Sequence, residues 1–140
     1  MQQAEDHVVI MRDDGFAPED WTAPLAPMAE AAGASGIELD PGDDLAALGP
    51  QLDRLQMIRV RFGSFADGRG FTVARRLRAM GYAGRLRAAG HVLADQYAMA
   101  RRAGFDEVEV APPIAARQPE AQWLARADWR AGDHQSRLRG

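Results

Sequence analysis

The chain has 140 residues, of which 46% are hydrophobic and 26% are charged, and its net charge is −3. This length allows one hydrophobic core but not two ordinary domains, and the composition is typical of a globular protein. Cysteine and lysine are both missing, which excludes disulfides, thiolate-bound clusters, Schiff-base lysines and the lysine of a P-loop. We find no apolar run near the ~20 residues that span a bilayer and no signal-peptide pattern, so we expect a cytoplasmic protein without a membrane segment.

The first part of the chain predicts short elements. His7–Arg12 has a β-branched apolar centre and predicts a strand. Residues 16–35 are rich in alanine and proline and predict a loop with one helical turn, and residues 36–39 predict a second strand. Leucines at near-helical spacing follow the acidic pair at 43–44, which can cap a helix. Because Pro50 interrupts these leucines, they predict either two short helices or one helix that begins near Pro50.

The middle of the chain contains the same strand–loop–helix construction twice. It predicts three neighbouring parallel strands, at Met57–Phe62, Arg85–Ala88 and Glu107–Val110. Helices are predicted from about Phe71 and about Val92, and each ends in a glycine followed by an aromatic residue. Right-handed crossovers would join the strands. The sequence therefore predicts one α/β domain over residues 1–140, with repeated β-α units and a mainly parallel sheet.

The end of the chain is less regular. Trp123, Leu124 and Ala127 predict a short helix. Otherwise we expect residues 115–140 to be irregular, with a mobile C-terminal end.

The charges are unevenly distributed. Residues 1–58 carry a net charge of −10, residues 59–102 carry +8, and residues 103–140 carry −1. Either the acidic part packs against the basic part and neutralises it, or some arginines face an anionic ligand or an acidic partner. The first interpretation is favoured, because long charged side chains usually form solvated faces.

A candidate ligand site lies in the loop between the first predicted strand of the middle part and its helix. This loop contains Asp67, Gly68, Arg69 and Gly70. Ligands collect at the carboxyl ends of parallel strands, and free N–H groups at a helix start favour an anion. Arg69 could hold an oxyanion through two hydrogen bonds. The alternative is that Asp67 caps the helix, the glycines form the turn and Arg69 pairs with a carboxylate.

The corresponding loop of the second unit adds Arg87 and His91, followed by Asp95 and Gln96. If the strands are adjacent, Arg87 should emerge beside Arg69, and the two would bind one oxyanion. His91 could act as an acid or base or bind the anion, or it could simply bond the backbone at a helix start. Asp95 more simply pairs with an arginine.

Other kinds of site have little support. The three histidines are far apart and show no metal-ligand spacing, so we expect no metal. No P-loop, G-x-S-x-G or G-x-G-x-x-G motif is present, and we expect no cofactor. Nucleic-acid binding is disfavoured, because the chain is acidic overall and few aromatic residues lie among the arginines.

Several motifs over residues 57–110 occur together: DGRG, ARRLR, GY-x-G-x-LRA, VL-x-DQ and RR-x-GFD. In this order they resemble a bacterial family of unknown function known mainly as the companion of assimilatory nitrite/sulfite reductase. DDGF…EDW and DPGDDLAALGPQLDRL extend the resemblance. His91 departs from the family, which more usually has Asp there. The positions that match include Asp67, Arg69, Arg87, Asp95 and Gln96.

The resemblance implies a role in reductive sulfur assimilation, and members of the family are often labelled probable oxidoreductases. We expect a non-redox accessory that binds sulfite reductase, its electron donor or a small oxyanion. The alternative is a small enzyme that acts on an anionic sulfur or phosphate metabolite, with Arg69 and Arg87 as anchors.

Overall fold

A computed structural model of the protein describes residues 7–65 and 67–130. Its strands are β1 Val9–Arg12, β2 Gly15–Pro18, β3 Leu25–Pro27, β4 Gly36–Leu39, β5 Met57–Phe62, β6 Arg85–Gly90 and β7 Glu107–Val110. They form one seven-stranded sheet with the order β2-β1-β7-β6-β5-β4-β3. Strands β3 to β7 are parallel neighbours in chain order, and β1 joins β2 and β7 in antiparallel pairs. The predicted α/β fold with a mainly parallel sheet is confirmed.

Helices connect the parallel strands. The α-helices are α1 Arg69–Ala79, α2 Tyr97–Ala103, α3 Pro112–Arg117 and α4 Glu120–Leu124, and the 3-10 helices are Met28–Gly33, Leu45–Gln51 and Ala94–Gln96. The α1 helix begins two residues before the predicted Phe71. The second crossover becomes helical at Ala94 rather than at Val92, because Gln96 Oε1 accepts the Leu93 N–H and forms a tight first turn. Within the described residues, no helix is long and apolar enough to cross a membrane.

One face of the sheet packs under these helices. Period-two alternation places Ile58, Val60 and Phe62 of β5 on this face, and they belong to one hydrophobic core with helix residues such as Phe71 and Leu77. The Phe62 and Phe71 rings meet edge to face, with centroids 5.0 Å apart. Because the strand order never reverses between β3 and β7, the sheet has no switch point at which crossovers change sides.

The predicted glycine–aromatic helix ends are confirmed. After α1, the Tyr82 N–H donates to Leu77 O at 3.0 Å, and after α2 the Phe105 N–H donates to Ala100 O at 3.0 Å. Both bonds span five residues, as the C-terminal motif with a left-handed glycine requires. The Arg78 guanidinium donates to the carbonyls of Tyr82, Gly84 and Gly104. One arginine therefore joins the ends of both units.

Three local predictions were wrong in part. Residues 16–35 contain β2, β3 and a 3-10 helix, because two edge strands of four and three residues take their pairing from neighbours rather than from their own sequence. Leu45–Gln51 is one 3-10 helix that includes Pro50, and Asp44 accepts the Ala46 N–H at its start. The expected irregular end contains the second half of α3 and all of α4, and α4 includes the predicted Trp123 and Leu124. Residues 131–140 lie outside the described part.

Candidate functional site

Charged side chains cover the sheet face opposite the core. This charged face consists of Arg12 of β1, Glu38 of β4, Arg59 and Arg61 of β5, Arg85 and Arg87 of β6, and Glu107 and Glu109 of β7. The register places arginine beside glutamate across several strand pairs, for example Arg87 beside Glu107. Both faces of a parallel sheet are normally covered by apolar packing. On the charged face of this sheet, ion pairs take the place of apolar packing.

The link between β2 and β3 crosses the charged face, because these strands occupy opposite edges of the sheet. We call residues 19–24 the strap. Its Glu19 and Asp20 carboxylates bind arginines of β6. A Cβ atom at Gly36 would lie 2.9 Å from the Trp21 ring, so Trp21 packs against the start of β4.

Arg87 is the centre of the ion-pair network. Its side chain is 1% exposed, and its Nε donates to Glu107 Oε2 at 2.6 Å. Both terminal nitrogens donate to the Glu19 carboxylate at 2.7 Å, and Nη1 also donates to Glu109 at 3.0 Å. This geometry satisfies a buried guanidinium through several charged hydrogen bonds.

The ion pairs also change the acidity of the carboxyl groups. A hydrogen bond from Arg85 lowers the pKa of Asp20 from 3.8 to about 2. Burial alone would raise the pKa of Glu109, but hydrogen bonds and charge from Arg59 and Arg87 outweigh it and lower that pKa. Stability from these carboxylates is therefore present above pH ~4 and is lost as the pH falls through their lowered pKa values.

An open cavity of about 360 Å³ lies on the charged face, where β5 and β6 end. Its walls include Glu38, Arg59, Arg61 and His91. Arg59 is 21% exposed and paired with Glu38 and Glu109, whereas Arg61 is 57% exposed and lies 3.3 Å from Glu38 and 3.7 Å from Asp40. Arg61 is therefore free to turn toward a ligand at little cost.

His91 forms the rim of this cavity. Its Nδ1 lies 3.2 Å from Phe62 O, and its ring meets Phe65 edge to face at 4.9 Å. A carbonyl oxygen can only accept, so Nδ1 carries a proton and Nε2 is an acceptor in the neutral ring. His91 can donate to an anion through Nε2 only when the ring is protonated.

Gly90 lines the cavity and lies close to the backbone of β5. A comparison with Gly81 tests how much this close approach matters for stability. Gly90 and Gly81 both have positive φ angles, +101° and +103°, but an added Cβ at Gly90 would lie 2.5 Å from Phe62 O, whereas nothing lies within 4 Å at Gly81. We expect Gly81→Ala to lower the free energy of unfolding by about 1 kcal/mol through backbone strain alone. Gly90→Ala should cost at least twice as much, measured by urea unfolding. Equal losses would show that the contact with Phe62 is unimportant.

The predicted Asp67–Gly70 loop contains the arginine–carboxylate pair of the structural alternative, but the N-cap of α1 is Gly68 rather than Asp67. Asp67 accepts the Arg69 backbone N–H at 3.2 Å, and the Arg69 guanidinium donates to both oxygens of the same carboxylate, at 2.9 and 3.0 Å. Gly70 gives space for α1 to approach β5, since a Cβ there would lie 2.3 Å from the Phe62 ring. Gly68 has open space around it. Ala66, within this loop, lies outside the described residues.

The predicted site residues do not form one constellation. Arg87 lies under the strap rather than at the sheet edge, so the expectation of a joint Arg69–Arg87 oxyanion site was wrong in its geometry. Arg87 lies inside a six-residue strand and belongs to the charged face, whereas Arg69 starts a helix on the other face of the sheet. Asp95 pairs with Arg126 at 3.1 Å, and Gln96 donates to Phe65 O at 3.1 Å. Only His91 reaches the open cavity.

Arg59, Arg61 and the glutamates of the charged face were not among the predicted site residues. The signal was present in their spacing: RVRF in β5, RLR in β6 and EVEV in β7 each place charges at every second position. Combining these alternations across parallel neighbours would have placed all of them on one face. Glu19 and Asp20, which pair with Arg87 and Arg85, come from a loop far away in the sequence, which no local pattern indicates.

Comparison with known proteins places the chain in a family. A family model described as a bacterial protein of unknown function, DUF934, matches residues 36–131. No curated protein and no solved structure matches the chain significantly. The matched range includes β4 to β7, with the cavity and most of the charged face, while the strap precedes it. Since the match spans more than half of the 140 residues, the chain belongs to this bacterial DUF934 family of unknown function.

Proposed function

We propose that the protein is a non-redox accessory of assimilatory sulfite reduction, which supports sulfite reductase or its electron supply by binding a partner or a small oxyanion. The pathway rests on the resemblance of residues 57–110 to the companion family of that reductase. The observation that supports a binding role is the open cavity with Arg61 on its wall. Arg61 is exposed and loosely paired, so an anionic group can take the place of Glu38 beside it.

The chemistry of the chain favours an accessory over a reductase. Reduction of sulfite to sulfide needs bound redox cofactors. A chain without cysteine cannot hold a thiolate-bound cluster, and it has no dinucleotide-binding fingerprint. Binding and presentation of an anion, or docking to an acidic surface, needs only the cations that the cavity offers.

A small enzyme acting on an anionic sulfur or phosphate metabolite is the second candidate. His91 beside Arg59 and Arg61 is the observation that favours it, since a histidine at a cationic cavity can transfer protons. Turnover of such a metabolite by the isolated protein would support this candidate. Formation of a complex without turnover would support the accessory.

Deletion of the gene is expected to impair growth on sulfate as the sole sulfur source and to leave growth on cysteine unchanged. Complementation should fail with Arg61→Glu, which reverses the charge at the cavity. Arg75→Glu is the matched control, because Arg75 is exposed on α1, on the helical side of the sheet, and should complement fully. His91→Asp should also complement, because the family more usually has Asp at that position.

Normal growth of the deletion strain on sulfate, in a strain with no second copy, would reject the pathway. Equal failure of Arg61→Glu and Arg75→Glu would reject the cavity as the functional surface.

A further inference from the structure

The strap is attached to the sheet by side chains alone. Among the described residues, no backbone–backbone hydrogen bond outside regular elements involves residues 19–24, and the strap contains no helix or strand. Its contacts are the ion pairs of Glu19 and Asp20 and the packing of Trp21. Segments held by few backbone bonds open locally at a lower free energy than the sheet beneath them.

The arginines under the strap are not neutralised by the sheet. Arg12, Arg85 and Arg87 all bind the single carboxylate of Glu107, which is 2% exposed. Arg87 also reaches Glu109, but Glu109 is shared with Arg59, and the charged face as a whole carries five arginines and three glutamates, so its net charge is +2 without the strap. Glu19 and Asp20 supply the two missing negative charges.

The strap carboxylates bind as a separate oxyanion would. Two oxygens of Glu19 accept from the two terminal nitrogens of Arg87, both at 2.7 Å. Asp20 bridges the other two arginines: one oxygen lies 2.9 Å from Arg12 Nη2, and the other accepts from Arg85 Nη2. Paired donors of this kind match the planar edge of a carboxylate and the oxygen pairs of sulfate and phosphate equally well.

The closed strap leaves one of its own polar groups unsatisfied. The indole N–H of Trp21 is buried and has no hydrogen-bond partner within the described part of the chain. A buried donor without a partner costs about 1–3 kcal/mol, and opening the strap would return this N–H to water. The closed and open positions are therefore closer in free energy than the number of ion pairs suggests.

We propose that Arg12, Arg85 and Arg87 form a binding site for a doubly charged oxyanion of the size of sulfate or sulfite, and that the strap fills this site with its own carboxylates until the ligand displaces it. One such ion carries the charge that Glu19 and Asp20 supply together. This site rests on the proposed function only for the choice of sulfur oxyanions as the first probes.

The test is a titration of purified protein with sulfate, sulfite and phosphate, at an ionic strength held constant with sodium chloride. The variant with both Glu19→Gln and Asp20→Asn should bind the oxyanion at least about tenfold more tightly than the wild type. The wild type must first open the strap, and its apparent Kd is raised by the inverse of the open fraction. Arg85→Gln should abolish this binding, and Arg75→Gln, exposed on α1 on the helical side of the sheet, should leave it unchanged.

Proteolysis of the wild type gives a second readout that does not depend on a variant folding. Chymotrypsin should cleave after Trp21 faster when sulfate is present, although ligands normally protect a protein. Equal affinity of the wild type and the double variant together with unchanged cleavage would overturn the proposal, as would binding that is unchanged in Arg85→Gln. Failure of this titration would leave the growth test unaffected, and a failed growth test would leave the titration unaffected.

Discussion

Replacing Arg87 with methionine is expected to lower the free energy of unfolding by about 3 kcal/mol. Methionine replaces the aliphatic part of the arginine side chain but not its guanidinium. The substitution therefore removes four charged hydrogen bonds, to Glu19, Glu107 and Glu109. Glu107 retains Arg12 and Arg85, so the loss should fall at the lower end of the range for a broken buried pair. Urea unfolding followed by circular dichroism measures this difference.

Arg61→Met is the matched control for Arg87→Met. Arg61 lies on the same face of the neighbouring strand, but it is 57% exposed and its contacts are 3.3 and 3.7 Å long. We expect its replacement to change stability by less than about 1 kcal/mol. If both variants lose the same amount, burial of ion pairs does not determine the stability of the charged face.

The loss of unfolding free energy in Arg87→Met should also depend on pH. Arg87 lowers the pKa of Glu19, although burial alone would raise it, and Arg87 also contributes to the lowered pKa of Glu109. The stability linked to these groups is present above the unfolded pKa, near 4.5, and is lost as the pH falls. The free energies of unfolding of the wild type and the variant should therefore converge below pH ~4. A constant difference between them down to pH ~3 would show that the ionised carboxylates paired with Arg87 are not the cause of the loss.

The repeated β-α units could be predicted because their signals are local. Met57–Phe62 and Glu107–Val110 have the predicted bounds, and each helix ends at its predicted glycine. The short edge strands could not be predicted in the same way, because Leu25–Pro27 owes its strand conformation to pairing with β4. Neighbours far away in the chain decide such segments.

The candidate site was predicted less well, for a topological reason. A glycine-containing loop after a strand indicates a ligand site when crossovers lie on both sides of the sheet and leave a crevice between them. Here the crossovers lie on one side, and Asp67 already occupies the start of α1. The overall distribution of charge was more informative: the acidic first part does neutralise the basic middle part, through pairs such as Glu19 with Arg87 and Glu38 with Arg59.

Asp13 is expected to be a second position with a large effect on stability. It lies in the turn between β1 and β2, and its carboxylate accepts from Tyr97 Oη at 2.5 Å, from Arg101 Nε at 3.1 Å and from Trp129 Nε1 at 3.1 Å. The Arg101 guanidinium also stacks on the Trp129 ring, 4.6 Å from its centroid. One carboxylate therefore joins the hairpin to α2 and to the segment that follows α4.

Asp13→Ala should lower the free energy of unfolding by about 2–3 kcal/mol, because it leaves the fully buried Tyr97 hydroxyl without this acceptor. Tyr97→Phe should cost only about 1 kcal/mol, because Asp13 keeps Arg101 and Trp129 as donors. In the double variant no hydroxyl is left unpaired, so the combined loss should be smaller than the sum by about 1 kcal/mol. Since hydrogen bonds from Arg101, Tyr97 and Trp129 outweigh burial and lower the pKa of Asp13, this coupling should be present at pH 7 and should weaken as the pH falls below ~4. Strictly additive losses at pH 7 would show that Asp13 and Tyr97 stabilise the fold independently.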